Sequence, residues 1–313
     1  MKYIFIIYLN RSGSTFLANQ LSKLNEILVC PEAEVLVDML LKHHDTRLSK
    51  REQESLGSAI ENDRKLKHWE LDIDIRKTDS QSRLELFFNI LDHYQSRTKP
   101  GSRAIAFKAV DLINCIDILH DYGIQKGLDI YFISLIRDPR AIFNSQRQTY
   151  VESKRKFMNR NPLTTVYQWN YLVTNSIKYT SLYKLVILKY EDLVNSLENE
   201  MNQLVKFTGI HGEYTFALLQ GDLKARIPEE QLSMHENITD PPILAKTTQW
   251  QTEYPVLTQE IIQQYTSEGL MQMKYQINPA TQPGLIKYLI LIWYKIELVL
   301  KDIYGLVRKH LNF

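Results

Sequence analysis

Uninterrupted apolar runs of strand length recur along this chain, at 3–9 (YIFIIYL), 27–30 (ILVC), 103–107 (RAIAF), 129–136 (DIYFISLI) and 185–188 (LVIL). Runs that are apolar throughout, rather than alternating with polar residues, suit parallel strands covered on both faces. Helix-period patterns lie between them, at 14–25, 33–43, 81–95, 113–122, 139–149, 163–183 and 191–208. Strand and helix in alternation predict an α/β fold, a doubly wound parallel sheet flanked by helices. Ligands of such sheets sit beyond the carboxyl ends of the strands. Residues 44–80 are polar and charge-rich, and 221–250 have little periodicity. Both are expected to shape a substrate pocket, because a long stretch without clear elements inside a compact domain usually serves as a lid or substrate loop.

One domain is expected over 1–280, followed by an amphipathic helical tail over 281–313. The apolar centre of that tail, Leu289–Trp293, lies between Lys287 and Lys295, with Glu297 following. These charges argue against a membrane span. The spacing fits packing on the domain, a subunit interface or a peripheral membrane helix, and it leaves the three open.

The first apolar run ends abruptly at Arg11-Ser12-Gly13-Ser14-Thr15, and a helical pattern begins at Phe16. Strand, tight turn and helix N-terminus converge free N–H groups and the positive end of the helix dipole on one point. Gly13 permits close backbone approach, Ser14 and Thr15 add hydroxyls, and Arg11 adds a permanent charge. The nucleoside-triphosphate pattern G-x-x-x-x-G-K-[ST] is absent. The loop therefore suits a phosphate-type anion other than that of ATP.

Composition changes little. A 44% apolar and 24% charged chain is ordinary for a globular protein. A formal charge of +2 over 313 residues gives no argument for nucleic acid. Cys30 and Cys115 are the only cysteines and form no CxxC, so buried thiols are expected rather than a disulfide framework or a zinc site. Seven apolar residues at the N-terminus are too few to span a bilayer, and no cleavage site follows them. A bacterial-type cytoplasmic setting is the expectation, with the tail allowing peripheral membrane attachment.

A second strand–turn–helix, YFISLIRDPRAIFNSQR at 131–147, places Arg137 at a strand end and Ser145 eight residues later. On its own this is an ordinary turn with an Asp N-cap and Pro at the first helical position. Together, R-S-G-S-T and I-R-D-P-R-A-x(4)-S, about 125 residues apart, resemble the sulfotransferase family that uses 3′-phosphoadenosine 5′-phosphosulfate (PAPS). The resemblance implies a P-loop NTPase-like fold, PAPS as co-substrate without a metal, and donor-binding roles for Arg11, Ser12, Gly13, Ser14, Thr15 and Phe16 around the 5′-phosphosulfate. It implies that Arg137 and Ser145 bind the 3′-phosphate. A guanidinium fork beside a hydroxyl suits that group, which distinguishes PAPS from ATP. Lys189-Tyr190-Glu191-Asp192-Leu193 is similar to the family's R-Y-E-D-L segment, which brings Tyr190 near the nucleotide. Lys246-Thr247-Thr248-Gln249-Trp250 resembles the late segment that closes over it, so Lys246 and Trp250 are candidate contacts.

Sulfuryl transfer to an alcohol needs a base, an in-line donor and positive charge on the departing oxygen. Carbohydrate and tyrosylprotein sulfotransferases place a Glu 21 residues after the loop Arg, which here is Glu32. Glu32 is the candidate base and Glu34 the alternative; Glu32 equally suits a structural partner of Arg11. Cytosolic relatives use a His instead, for which His43, His44 and His235 are weaker substitutes. Lys108, at the end of the third strand, either stabilises the leaving oxygen or is an ordinary strand-end lysine. Arg11 stands where the cytosolic enzymes carry Lys, and this favours the carbohydrate or tyrosylprotein type. The resulting expectation is an O-sulfotransferase acting on a hydroxyl acceptor, a carbohydrate or glycolipid foremost. A non-carbohydrate alcohol or phenol, and a P-loop-like small-molecule kinase, are the alternatives. Lys154, Arg155, Lys156 and Arg160 fit a solvated face better than an anionic-glycan contact.

Overall fold

The computed structural model describes residues 1–42, 47–71, 74, 82–152, 155–210, 247–279 and 285–310. All five apolar runs form strands: β1 (Lys2–Tyr8), β2 (Ile27–Val29), β3 (Ala104–Lys108), β4 (Asp129–Ile136) and, after two short strands described below, β7 (Leu185–Lys189). They make one sheet in the order β2-β3-β1-β4-β7. The pairings of β1 with β3, β1 with β4 and β2 with β3 are parallel. Phe5 of β1 stands opposite Phe107 on one side and Phe132 on the other, and Tyr8 stands opposite Leu135. The chain leaves β1 toward β2 and β3, then crosses to β4, so the winding reverses at β1 and β4. In an open α/β sheet that reversal is where ligands bind.

Residue contacts divide the chain into two compact units. The first comprises Met1–Tyr8, Gly13–Leu135 and Ser176–Pro242, and the second Leu9–Ser12, Ile136–Asn175 and Ile243–Phe313.

The first unit holds the sheet core, and the apolar run of β1 is buried on both faces. Tyr3 and Phe5 meet the rings of Phe88 and Phe87 on α5 (Arg83–Thr98). Ile4, Ile6 and Tyr8 point the other way, into a cluster with Phe16 and Leu17 of α1 (Ser14–Ser22) and Leu193, Met201 and Leu204. Each large apolar side chain so buried contributes roughly 1.5–3 kcal/mol, so β1 anchors the unit from two directions. Cys30 and Cys115 are both buried, and burial pushes the Cys115 thiol up to about 12.

Several elements depart from the pattern read along the chain. The charge-rich stretch 44–80 contains a helix, α3 (Lys50–Asn62), whose start is a reciprocal capping box between Ser49 and Glu52. Its large polar face hid the periodicity, since only Gly57 and Ile60 are buried. The expected single helix over 191–208 is two, α9 (Tyr190–Asn195) and α10 (Leu197–Thr208), separated by a non-helical Ser196.

In the second unit, α7 (Pro139–Gln148) and the helix Val256–Gln272 enclose a small core of Phe143, Val166, Trp250, Tyr254 and Ile262. β5 (Tyr150–Val151) and β6 (Lys156–Phe157) form an antiparallel hairpin. The basic cluster expected on a solvated face falls partly here: Lys156 is on β6, Arg155 and Arg160 are exposed, and Lys154 lies outside the described residues. Arg160 covers the Phe157 ring at 4.1 Å. The tail forms a helix, Leu285–His310. Among the described residues no helix is long and apolar enough to cross a membrane.

Candidate active site

In the first unit, the ends of β1, β2 and β3 and the starts of α1 and α9 carry charged and polar groups. Gly13 is the N-cap of α1, with φ 93°, and no side chain caps the helix start. Its first N–H groups are thus available to an anion. A Cβ at Gly13 would lie 2.2 Å from the Tyr190 ring, so glycine is required twice over, by backbone and by space. Tyr190, the first residue of α9, also packs edge-on to Phe16 at 6.5 Å. Ser14 and Phe16 are buried in the first turn of α1. Gly13→Ala is expected to lower stability by roughly 2–4 kcal/mol, because a strained backbone and a ring clash add together; thermal unfolding measures it.

Glu32 leaves β2 through Cys30, whose N–H donates to Ala106 O at 2.8 Å and fixes the strand end against β3. The Tyr8 hydroxyl donates to Glu32 Oε1. Glu32 Oε2 lies 3.6 Å from the Lys108 ammonium and 3.7 Å from that of Lys65. Lys108 Nζ also stands 5.3 Å from the centroid of the Tyr8 ring. Burial, followed by the neighbouring Glu32 carboxylate, pushes the Tyr8 phenol well above its ordinary range, so it stays a donor. Glu34, the alternative base, is instead half exposed and ion-paired to Lys65 at 2.5 Å. Glu32 and Lys108 are therefore brought together, and Glu34, which shares Lys65 with Glu32, is the more exposed of the two carboxylates.

Tyr8 and Lys65 escaped the sequence reading. Tyr8 is hidden within an apolar run, where a tyrosine reads as core. Lys65 belongs to a charge-rich stretch whose register no periodicity fixed. A signal existed only for Tyr8, as the last strand residue before an anion-suited loop.

In the second unit, Arg11 adopts a left-handed conformation with φ 75°, uncommon for a side chain without local polar compensation. Its backbone is held from two sides: Arg137 Nη1 donates to Arg11 O at 3.0 Å, and Gln146 Nε2 donates to Asn10 O at 3.1 Å. Arg11 Nε donates to Ser145 Oγ at 2.9 Å. The first-motif arginine, the second-motif arginine and the serine two helical turns on thus form one connected cluster. Ser12 is fully buried, and its hydroxyl has no hydrogen-bond partner among the described residues. A buried hydroxyl without a partner costs about 1–3 kcal/mol, and a bound oxyanion would relieve that cost.

Arg137 O accepts from Trp169 Nε1 at 2.8 Å, which fixes the turn out of β4. Asp138 caps α7 by accepting from Arg140 N at 2.8 Å and also grips the Arg140 guanidinium at 2.7 and 3.0 Å. Arg140 itself is buried, donating to Gln263 Oε1 at 2.8 Å and Gln276 O at 2.7 Å. Of the two arginines in R-D-P-R, the second is thus a core residue. Trp250 is buried with its ring 4.2 Å from the Arg140 guanidinium. Lys246, His43, His44 and His235 lie outside the described residues.

The sequence model of the sulfotransferase family matches residues 3–214, about two thirds of the chain. Among curated protein sequences none matches. The fold resembles the sulfotransferase domain from the curacin biosynthetic pathway, with a TM-score of 0.57 at 19% identity over 88% of this chain and 98% of that one. It also resembles the sulfotransferase domain from the Synechococcus PCC 7002 olefin synthase, with a TM-score of 0.58 at 17% identity over 89% and 96% of the two chains. The doubly wound parallel sheet and the family match agree, and the chain belongs to the sulfotransferase family.

Proposed function

We propose that this chain is a PAPS-dependent O-sulfotransferase whose acceptor is the hydroxyl of a carbohydrate or glycolipid. The observation that carries this reading is Glu32 held between the Tyr8 hydroxyl and the Lys108 ammonium at the carboxyl ends of adjacent strands. The residues present suit the donor. Ser12 offers a buried hydroxyl with no partner among the described residues, and Gly13 takes the left-handed turn into α1, which begins without a side-chain cap. Arg11 to Phe16 would hold the 5′-phosphosulfate and Arg137 with Ser145 the 3′-phosphate, in the order of the family's motifs. Trp250, buried against Arg140, belongs to the core that supports the second motif. When bound, PAPS supplies the sulfuryl group together with a bisphosphate leaving group.

Glu32 acts as general base. Its Oε1 is occupied by the Tyr8 hydroxyl, and its Oε2, which faces two ammonium groups beyond tight hydrogen-bond range, takes the acceptor proton. Lys108 would supply positive charge to the departing oxygen of bound PAPS. Tyr8 is a positioning residue, since it fixes the Glu32 rotamer. The Tyr8→Phe variant is expected to lose about tenfold in kcat with KM for PAPS nearly unchanged, as steady-state kinetics would show. The carbohydrate assignment rests on Arg11 in place of Lys and on the position of Glu32.

Calorimetry with 3′,5′-bisphosphoadenosine, followed by a labelled-PAPS transfer screen over glycans, glycolipids and phenols, tests the reading. Binding of the bisphosphate and label transfer to a glycan or glycolipid are expected. No binding at millimolar ligand would remove the donor assignment, and transfer to phenols alone would remove the acceptor assignment.

A further inference from the structure

The helix Leu285–His310, where its side chains are described, has one engaged face and one exposed face. One face rests on its own unit: Lys287 pairs with Glu260 at 3.2 Å, and Asn161 Nδ2 donates to Tyr294 O at 2.9 Å and Glu297 Oε2 at 3.0 Å. The opposite face exposes Leu289, Ile292, Trp293, Ile296, Leu300 and Ile303, with Tyr288 and Val299 among them. At 3.6 residues per turn these positions fall within one arc of roughly 140°. Eight of the nineteen exposed large hydrophobics among the described residues lie here, so this is a contiguous patch and not the usual scatter.

Three features select its occupant. The arc is broader than the narrow seam by which two helices of a coiled coil meet, and it suits a flat apolar boundary. Trp293 and Tyr288 are the residue types that settle at a membrane–water interface. The sequence from 285 carries Lys287, Lys295, Lys301, Arg308 and Lys309 against only Glu297 and Asp302, whereas the whole chain has a formal net charge of just +2. Lys287 is paired with Glu260 and Lys301 with Glu297, which leaves the exposed Lys295 and the sequence positions Arg308 and Lys309 as the basic excess; it repels a second copy of the helix and attracts anionic headgroups.

We propose that Leu285–His310 docks the protein on an anionic lipid surface, lying in the headgroup plane. The inference stands apart from the assignment of the donor and acceptor, because it rests on a surface remote in sequence from the family motifs.

Flotation of the full chain with phosphatidylcholine vesicles containing phosphatidylserine tests it, together with sedimentation velocity without vesicles. The protein is expected to float with these vesicles, to float less as salt rises, and to sediment as a monomer. The double variant Trp293→Glu/Leu300→Glu should lower the vesicle-bound fraction more than about tenfold, since both side chains lose their burial in lipid. Should that pair also lower the melting temperature, Leu289→Ser/Ile296→Ser carries the same comparison. A full chain that stays in the aqueous fraction at low salt overturns the proposal. So does a concentration-dependent dimer that the double variant dissociates.

Discussion

Replacing Glu32 with Gln is expected to lower kcat about 10²–10⁴-fold, the usual weight of a positioned general base. The affinity for 3′,5′-bisphosphoadenosine should hardly change. The substitution keeps the side-chain volume, and its amide oxygen can still accept from the Tyr8 hydroxyl. What it removes is the ability to take a proton and the charge that faces Lys108 at 3.6 Å and Lys65 at 3.7 Å. Both ammonium groups remain, Lys65 still paired with Glu34, so no group that binds the anion is removed. Chemistry and binding are therefore expected to separate, with single-turnover transfer lost and calorimetric affinity retained. Equal activity of the variant would reduce Glu32 to a structural partner. Glu34→Gln is the matched control: its carboxylate is half exposed and paired with Lys65, so transfer should fall less than about threefold.

The second large effect concerns the 3′-phosphate. Arg137→Ala should weaken binding of 3′,5′-bisphosphoadenosine by about 10²-fold, since charge-assisted hydrogen bonds contribute roughly 1.5–3 kcal/mol each. Part of that loss would be indirect, because Arg137 also donates to Arg11 O at 3.0 Å and so steadies the first loop. Adenosine 5′-monophosphate, which differs from the bisphosphate only in lacking the 3′-phosphate, separates the two contributions. If Arg137 reads the 3′-phosphate, the variant binds both nucleotides about equally, and the wild type's preference disappears. If Arg137 only braces the loop, both affinities fall in parallel and the preference survives. Ser145→Ala removes a neutral hydroxyl and is expected to cost roughly 1 kcal/mol. Because Ser145 Oγ accepts from Arg11 Nε at 2.9 Å, the double variant should be non-additive, as is usual for members of one hydrogen-bonded network.

The strands were legible because each is an unbroken apolar run: a parallel strand covered on both faces needs one, and few other elements produce it. Helices with a wide polar face were not. In α3 only Gly57 and Ile60 are buried, so the hydrophobic period is too sparse to detect. The break between α9 and α10 was equally silent, since Ser196, whose backbone leaves the helical region at φ −139°, is neither Gly nor Pro. The motif residues Arg11, Gly13, Arg137 and Ser145 were readable from spacing. Tyr8 and Lys65 were not, since their part depends on the fold bringing the end of β1 and the Lys65 segment to Glu32.

Local periods, turn residues and spacing along one chain were enough to establish the order of strands and helices and the two anion-suited turns. Folding in three dimensions was needed to decide which carboxylate meets Lys108, because Glu32 and Glu34 are two residues apart and only side-chain direction separates them. It was needed again to make Arg140 a buried core guanidinium while its neighbour Arg137 holds the first loop. That distinction is made by the partners Gln263 and Trp250 from the far end of the chain. The reason is physical: composition and spacing limit what a residue can do, whereas long-range burial and hydrogen bonding decide what it faces.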